Sequence, residues 1–309
     1  MFLNKFRTVD GILLIDKPSG FSSNNILQKV KYILNIKKAG HSGSLDPIAT
    51  GMLLICCGEA TKYSQFLFNT NKRYRVIAKL GQTTNTSDSE GKVIKTRIVN
   101  FLFTHLIETL NSFKGDIQQI PPMYSAIKYK GKSLYKYARK GIFIPRKSRK
   151  ITIYRLKYIN CYNVFLELEV TCSKGTYIRT LIEDIGENLG CGAHVIKLRR
   201  LQVDKYPISK MITIDQLQSL SQYSSKLFLK QLYKILIPLD TPVLDFPEIN
   251  LSSNDANKIQ NGKKIKVFCT LKSSFFRITT GKSQSFIGIG RVNKNQELLP
   301  YRLVLKRKF

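Results

Sequence analysis

The sequence has few of the residues that bind metal ions. It contains only three histidines, and its six cysteines form no Cys-x-x-Cys pair. Zinc sites usually combine two such ligand pairs. Cys191 and His194 have a metal-like spacing, but no second ligand pair accompanies them. We therefore expect no metal ion, and we expect the thiols to be reduced, as is typical of the cytosol.

Long apolar runs are also absent. No stretch reaches the roughly 18 uninterrupted apolar residues of a membrane span. The N-terminus lacks the apolar core and small-residue cleavage site of a signal peptide. Together with the reduced thiols, these absences predict a cytoplasmic protein without a membrane partner. A chain of 309 residues is long enough for one large domain and a small one.

Acidic residues are scarce. Twenty Asp and Glu stand against 51 Lys and Arg, which leaves a net charge of +31 and a pI near 10.0. Such a field attracts polyanions, and nucleic acid is the leading candidate. The alternative is that a composition biased toward Lys, Ile and Asn supplies surplus lysines that contact nothing. Charge alone leaves both interpretations open.

Complete nucleotide-binding motifs are missing. Gly131-Lys132-Ser133 resembles the end of a P-loop, but Ala126 stands where that motif needs glycine. Gly190-Cys191-Gly192 follows a helical pattern and has Val195 at the third glycine position of a dinucleotide loop. We therefore expect no nucleotide cofactor.

A glycine-rich stretch from Lys38 to Gly51 contains His41 and Asp46. Pro47 biases Asp46 away from the α region, and the glycines permit turns that other residues disfavour. Apolar runs at 10–16 and 52–57 flank the stretch, which predicts an ordered loop between core elements that presents Asp46. Catalytic groups concentrate in such loops. An ordinary Asp-Pro turn is the alternative.

Hydrophobic periodicity predicts a mixed fold. Apolar alternation indicates strands, short polar segments indicate turns, and prolines 238, 242 and 247 mark a connector before a small barrel of short strands. The predicted strands are 11–15, 52–57, 73–80, 151–159, 164–172, 195–203, 263–268, 275–279, 285–289 and 302–305. Helical patterns occur near 22–34, 59–68, 104–113, 181–189, 214–220, 225–236 and 252–260, and 82–91 is predicted to be a hairpin-type loop.

Aromatic and basic residues alternate in two places. Tyr74 begins a strand with basic flanks, which favours base stacking over an ordinary core position. Between 123 and 139, tyrosines interleave with lysines and Arg139. This second pattern suits unpaired nucleic acid, and a solvated helix face with packed tyrosines explains it equally well.

Three stretches together carry a resemblance to a known family. They are Gly11-Ile12-Leu13-Leu14-Ile15-Asp16-Lys17-Pro18, Gly40-His41-Ser42-Gly43-Ser44-Leu45-Asp46-Pro47 and Lys174-Gly175-Thr176-Tyr177-Ile178-Arg179. The chain closely resembles the bacterial tRNA uridine-55 pseudouridine synthases, the TruB family. The match is weakest after about residue 247, and Ser42 stands where the family commonly has threonine.

The resemblance implies an α+β fold. We expect a catalytic domain at 1–245 with a mixed, mainly antiparallel sheet and flanking helices, and a PUA-like RNA-binding β-barrel at 246–309. It also implies base flipping of uridine-55 in the T-arm stem-loop of tRNA. No cofactor and no obligate protein partner are implied, and we expect a monomer.

The family motifs also imply residue roles. Asp46 is the expected nucleophile, whether it attacks the sugar, attacks the base or assists loss of the 2′ proton. Tyr74 is expected to stack on the uracil. Arg179 is expected to pair with Asp46 and to lower its pKa, a surface phosphate contact being the alternative. His41 is expected to fill the vacated space, although a lone loop histidine more often forms local hydrogen bonds. Tyr177 and Leu198 should line the uracil pocket, and Lys17, Lys62, Arg139 and Arg199 should contact RNA.

Two other functions remain open at this stage. A non-catalytic RNA chaperone or assembly factor would use the basic surface without chemistry. A guide-RNA-dependent pseudouridine synthase of the archaeal and eukaryotic type would be inactive on bare tRNA.

Overall fold

The computed structural model describes residues 6–268 and 273–305. Cys269 lies outside these ranges. The strands are β1 Gly11–Lys17, β2 Ala39–Ser42, β3 Thr50–Cys57, β4 Lys72–Leu80, β5 Gln82–Thr84, β6 Val93–Thr96, β7 Gly115–Gln119, β8 Lys128–Tyr129, β9 Lys132–Ser133, β10 Arg149–Tyr162, β11 Phe165–Cys172, β12 Ala193–Val203, β13 Glu248–Leu251, β14 Ile265–Lys266, β15 Phe276–Thr280, β16 Ser285–Val292 and β17 Glu297–Leu303. The helices are α1 Ser23–Leu34, α2 Ser64–Leu67, α3 Phe103–Ser112, α4 Leu134–Ala138, α5 Ile178–Asn188, α6 Ile214–Ser221, α7 Ser225–Ile235 and α8 Ser253–Gln260.

The larger sheet contains eight strands. Seven follow the order β1-β3-β12-β4-β11-β10-β7, and β2 pairs with the second half of β3, from Leu54 to Cys57. The β12–β3 pairing is parallel and the other pairings are antiparallel. This topology places β3, which follows the Asp46 loop, between β1 and β12, and β12 pairs in turn with β4. The loop therefore lies near the centre of the sheet.

Both faces of the sheet are covered near β1 and β3. Leu13 and Leu53 belong to the main core with α1, α5, α6 and α7, whereas Leu14 and Leu54 belong to a second core on the opposite face. Strands buried on both faces have nearly continuous apolar sequences. This explains the unbroken apolar runs that predicted them.

Helix α1 begins at a capping box. The Ser22 hydroxyl accepts a hydrogen bond from the Asn25 amide, and the Asn25 side chain accepts one from the Ser22 amide. The predicted apolar face of this helix is confirmed, since Ile26, Val30 and Leu34 are fully buried. The helix leads directly to β2 and the Asp46 loop.

The C-terminal strands form a separate sheet of five strands in the order β13-β15-β16-β17-β14. Their core includes Leu251, Ile259, Ile278 and Leu298. An aromatic cluster joins this sheet to the α2 region, where the Phe66 ring meets the edges of Phe246 and Phe275. The predicted α+β fold class is confirmed.

Several element predictions were wrong in detail. The segment predicted as one helix at 59–68 is a 3-10 turn, Gly58–Lys62, followed by α2. The hairpin predicted at 82–91 is confirmed, but its first three residues form β5, which pairs antiparallel with β6. Strand β13 was not predicted, and the strand expected at 302–305 begins at Glu297. None of the described helices has both the length and the apolarity needed to cross a membrane.

Candidate active site

Hydrogen bonds to the start of α1 and within the loop itself fix the Asp46 loop. The Ser23 hydroxyl at the start of α1 accepts from the Leu45 amide at 2.7 Å and donates to the Leu45 carbonyl at 3.1 Å. Within the loop, the Ala49 amide donates to the Asp46 carbonyl at 3.0 Å. The Asp46 side chain is 38% exposed. The loop therefore presents a carboxylate that is partly buried and partly open to solvent, as the Pro47 and glycine pattern predicted.

Arg179 contacts this carboxylate with two nitrogens. Its Nε lies 2.9 Å from Oδ2 of Asp46, and its Nη2 donates to Oδ1 at 3.2 Å. The Arg179 side chain is only 5% exposed. A buried guanidinium beside a more open carboxylate contradicts the alternative of a surface phosphate contact for Arg179.

Further hydrogen bonds fix the guanidinium. Nη1 donates to the Thr86 carbonyl at 3.0 Å, and Nη2 donates to the Tyr124 carbonyl at 2.8 Å. Asp88 is buried, and its Oδ2 accepts from Nη1 at 3.3 Å. Arg179 therefore bridges two aspartates, and its orientation does not depend on Asp46 alone.

The expected lowering of the Asp46 pKa was wrong. Burial raises the pKa of this carboxyl above its ordinary value of 3.8, and Arg179 opposes that rise without overcoming it. The negative charge of Asp88 raises it further. The sequence interpretation included the arginine and burial beneath the substrate, but it took the arginine as the larger effect and did not include the second aspartate.

Tyr74 lies at the start of β4 and is partly exposed. Burial is the main reason that the Tyr74 pKa is raised, so the phenol is neutral. The charge of Arg200 lowers the pKa of its hydroxyl, and the charge of Asp46 raises it. Arg200 itself is 1% exposed, and its Nε and Nη2 donate to the carbonyls of Met52 and Gly43.

The other expected pocket residues surround the same place. The Tyr177 backbone is clamped by Gln119, whose side chain accepts from the Tyr177 amide at 2.8 Å and donates to its carbonyl at 3.0 Å. The charge of Asp46 also acts on the Tyr177 hydroxyl. Leu198 is buried on β12, two residues before Arg200 and therefore on the same strand face.

His41 lies on β2 and is partly buried. Burial and then the charge of Arg200 lower its pKa, which favours a neutral imidazole. Its Nδ1 is buried and has no hydrogen-bond partner in the part of the chain that the structure describes. This geometry does not support the local hydrogen-bonding alternative at Nδ1.

The structure contradicts the expected RNA contact of Lys17. Its side chain is fully buried, and its amine donates to the carbonyls of Pro18, Phe21 and Pro47. Burial lowers its pKa to about 8, and the charge of Asp46 acts in the opposite direction. Lys17 supports the Asp46 loop from inside, because its amine joins the Pro47 carbonyl of that loop to the carbonyls of Pro18 and Phe21.

The other three expected RNA contacts differ in their exposure. Lys62 pairs with Glu59 at 2.6 Å and donates to the Leu303 carbonyl at 2.7 Å, so it joins the two sheets and is only 24% exposed. Arg199 forms a two-point ion pair with Asp16. Arg139 is exposed and stacks over a tyrosine ring.

Sequence reasoning missed Arg200, Asp88 and Gln119. A signal existed for Arg200, because consecutive residues on a strand point to opposite faces. Arg199 and Arg200 therefore lie on opposite faces of the sheet, and at least one of the two had to be covered by the protein. Asp88 stands in a polar segment that looked like an ordinary turn, and no local pattern distinguishes Gln119 on β7. Among residues 6–268 and 273–305, no group of three or more His, Cys, Asp or Glu side chains could hold a metal ion.

Three family models match consecutive parts of the chain. They describe the TruB family pseudouridylate synthase N-terminal domain at 31–178, the tRNA pseudouridylate synthase B C-terminal domain at 179–244 and the pseudouridine synthase II TruB C-terminal domain at 247–304. Together they span most of the chain, including the Asp46 loop.

The chain is also similar to curated proteins and solved structures. It is 55% identical to the tRNA pseudouridine synthase B of Buchnera aphidicola subsp. Baizongia pistaciae over 304 residues, covering 98% of this chain and 99% of the relative. Identity to the same enzyme of Enterobacter sp. strain 638 is 51%, covering 97% and 96%. A solved archaeal box H/ACA sRNP Nop10-Cbf5 complex has the same fold, with a TM-score of 0.70, 19% identity and coverage of 97% and 93%. With this identity over nearly its full length, the chain belongs to the TruB family of pseudouridine synthases.

Proposed function

We propose that this chain converts a uridine of tRNA into pseudouridine, and that the uridine is position 55 in the T arm. Relatives at 50–55% identity are named tRNA pseudouridine synthase B. The observation that carries the proposal is a partly exposed carboxylate, Asp46, which the buried guanidinium of Arg179 holds and whose charge acts on the Tyr74 hydroxyl. A monomeric, cytoplasmic enzyme acting on folded tRNA is part of the same proposal.

The reaction needs no cofactor because it is an isomerisation. The bond from uracil N1 to ribose C1′ breaks, the base rotates, and C5 bonds to C1′. The C5 proton leaves and N1 gains a proton, so atoms and electrons balance without an oxidant or a reductant. Asp46 serves by attacking C1′, by attacking C6 or by assisting loss of the 2′ proton. Each route requires its anion beside the nucleoside, which is the form that Arg179 favours.

The neighbouring side chains can hold an extruded base. Tyr74 offers a ring face for stacking, and its phenol stays neutral because burial raises its pKa. We assign Tyr177 and Leu198 to the walls of the uracil pocket. His41 is assigned to the space left in the RNA, where its unpartnered Nδ1 can form a hydrogen bond that the protein does not supply.

Binding energy must come from more than the base. Extruding a nucleotide costs a few kcal/mol, and stacking on one aromatic side chain returns about 1–3 kcal/mol. These contributions nearly cancel, so the net affinity must come from contacts of the basic surface with phosphates. Arg139 and Arg199 are proposed contacts of this kind, and Lys17 is not, since it is buried. The proposal predicts strongly salt-dependent binding.

The test is tritium release from 5-labelled uridine in a T-arm stem-loop. The wild-type chain should release tritium without guide RNA, metal or nucleotide, and a stem-loop with cytidine at position 55 should release none. Asp46→Asn should bind the stem-loop with little change and lose about 10³-fold or more in turnover. Asp245→Asn is the matched control, because Asp245 is exposed and pairs only with Lys205 among the described residues. It should retain wild-type turnover.

Each alternative predicts a different result. Tight, salt-sensitive binding without any tritium release from the wild type would support an RNA chaperone. Release that appears only when a guide RNA is added would support a guide-dependent enzyme. Undiminished turnover of Asp46→Asn would contradict the assignment of Asp46.

A further inference from the structure

A cavity of about 340 Å³ lies beside the candidate active site and is not used by the proposed reaction. Thr86 and Tyr124 line it, and the carbonyls of the same two residues accept hydrogen bonds from Arg179. Asp46, Tyr74 and Tyr177 are not part of the lining. The cavity is therefore a neighbour of the active site rather than a part of it, and its volume is within the range of small-molecule sites.

Two carboxylates on α5 line this cavity without a cationic partner. Glu183 and Asp184 lie within one helical turn of Thr180, so the three side chains share a face of the helix. Within the described ranges, neither carboxylate has a Lys, Arg or His nitrogen within 4.0 Å, whereas the next acid on the helix, Glu187, pairs with Arg97 at 2.8 Å. The charges of these two acids are therefore not neutralised by an ion pair in the described part of the protein, despite the net charge of +31.

Thr180 is a second, independent indication of a ligand. Its side chain is 8% exposed, and its hydroxyl oxygen has no hydrogen-bond partner in the described part of the protein. A buried hydroxyl without a partner is costly, so native proteins rarely leave one. Because Thr180 lines the cavity, a ligand there can supply the missing hydrogen bond.

The remaining walls indicate the chemistry of that ligand. Ile94, Ile120, Pro122 and Met123 give part of the cavity an apolar surface. Arg146 also lines it, but its Nε and Nη1 donate to the carbonyls of Pro121 and Ile144. An alkylammonium ion matches both surfaces, because its charged end donates several hydrogen bonds and its methylene chain is apolar. A bare metal ion matches less well, since it would leave the apolar walls uncovered.

We propose that this cavity binds a small aliphatic polyamine, with one ammonium group held by Glu183, Asp184 and the Thr180 hydroxyl. The Ser87 hydroxyl, which donates to Oε2 of Glu183 at 2.5 Å, keeps that carboxylate turned toward the binding group and leaves its other oxygen free for it. The methylene chain lies along Ile120 and Met123. Binding at this place stabilises the two segments whose carbonyls hold Arg179.

Calorimetric titration of the purified full chain with 1,4-diaminobutane and with spermidine, without RNA, tests the proposal. We expect saturable binding of one polyamine per chain. Glu183→Gln/Asp184→Asn should weaken it at least tenfold, and Thr180→Val should weaken it several-fold with both acids retained. The matched control is Asp215→Asn/Asp245→Asn, which changes the net charge equally at two exposed positions outside the cavity and should bind like the wild type. Thermal melting without polyamine checks that each variant is folded.

Three outcomes would overturn the proposal. They are no binding at millimolar polyamine, equal weakening in the cavity variant and its matched control, and displacement of the polyamine by free nucleosides, which would make the cavity a base-binding site. Tritium release in polyamine-free buffer should be unchanged in the cavity variant. A failure of polyamine binding is thereby distinguished from a failure of the proposed enzymatic function.

Discussion

Replacing Asp184 with asparagine is expected to stabilise the folded protein at pH 8 in polyamine-free buffer. Burial, followed by the charges of Glu183 and Glu187, raises the pKa of Asp184 from 3.8 to about 6. One pKa unit corresponds to about 1.36 kcal/mol, so the full difference would be worth about 3 kcal/mol. The side chain is only partly buried, and water screens its charge, which reduces the expected gain to about 1–2 kcal/mol.

The pH dependence identifies the cause. A carboxyl with a raised folded-state pKa destabilises the fold fully above that pKa, and the cost disappears as the pH falls toward the unfolded value. The gain from Asp184→Asn should therefore be complete at pH 8, fall to about half by pH 5 and nearly vanish below the ordinary pKa of 3.8. Urea unfolding at fixed ionic strength measures it, with Asp245→Asn as the exposed control. A gain that does not change with pH, or a loss at pH 8, would refute the reasoning.

Three further predictions follow from the core and the site. Gly51 has φ +97°, and a Cβ there would approach a backbone oxygen of β12 to 2.2 Å, so Gly51→Ala should cost at least about 3 kcal/mol in urea unfolding. Gly115→Ala, at a similar φ but with open space around it, should cost only about 1 kcal/mol. Leu54→Ala should lower the free energy of unfolding by about 2–5 kcal/mol, because Leu54 is fully buried. A loss below about 1 kcal/mol, as expected at an exposed position, would contradict its place in the core. Arg179→Lys keeps the positive charge but loses the two-nitrogen contact that opposes the rise of the Asp46 pKa, so the acid limb of tritium release should shift to higher pH; an unmoved limb would contradict this role of the contact.

Local patterns predicted the elements that have one clear periodicity. Residues 73–80 alternate because β4 packs one face against the core, and the structure extends that strand by a single residue. The Asp46 loop was predicted for the same kind of local reason, since proline and glycine restrict or free their own backbone angles. Strand β13 was missed because its four residues include only two apolar ones, Ile249 and Leu251, and its parallel pairing with β15 is not encoded locally.

Contacts between distant residues could not be predicted in this way. The pairing of Asp46 with Arg179 joins positions 133 residues apart, and only the family resemblance suggested it. The burial of Lys17 depends on where the folded loops place the carbonyls that accept from its amine, and a lysine in a basic chain looks exposed until those loops are placed. The same limit explains the error in the Asp46 pKa, because desolvation is a property of the assembled site.

Asp88 has two opposing effects on the Asp46 carboxylate. Its Oδ2 contacts Nη1 of Arg179 and helps to hold the guanidinium against Asp46, yet its negative charge raises the pKa of Asp46. The carbonyls of Thr86 and Tyr124 hold the same guanidinium, so its position should survive the loss of one charged contact.

Asp88→Asn should therefore move the acid limb of tritium release to lower pH, while turnover at neutral pH falls by less than about tenfold. The asparagine side chain keeps the shape and an acceptor oxygen, and it removes the like charge that disfavours ionised Asp46. A pH profile of single-turnover tritium release measures both effects. A limb that moves to higher pH would mean that Asp88 acts chiefly by holding Arg179, and that the repulsion between the two aspartates is the smaller effect.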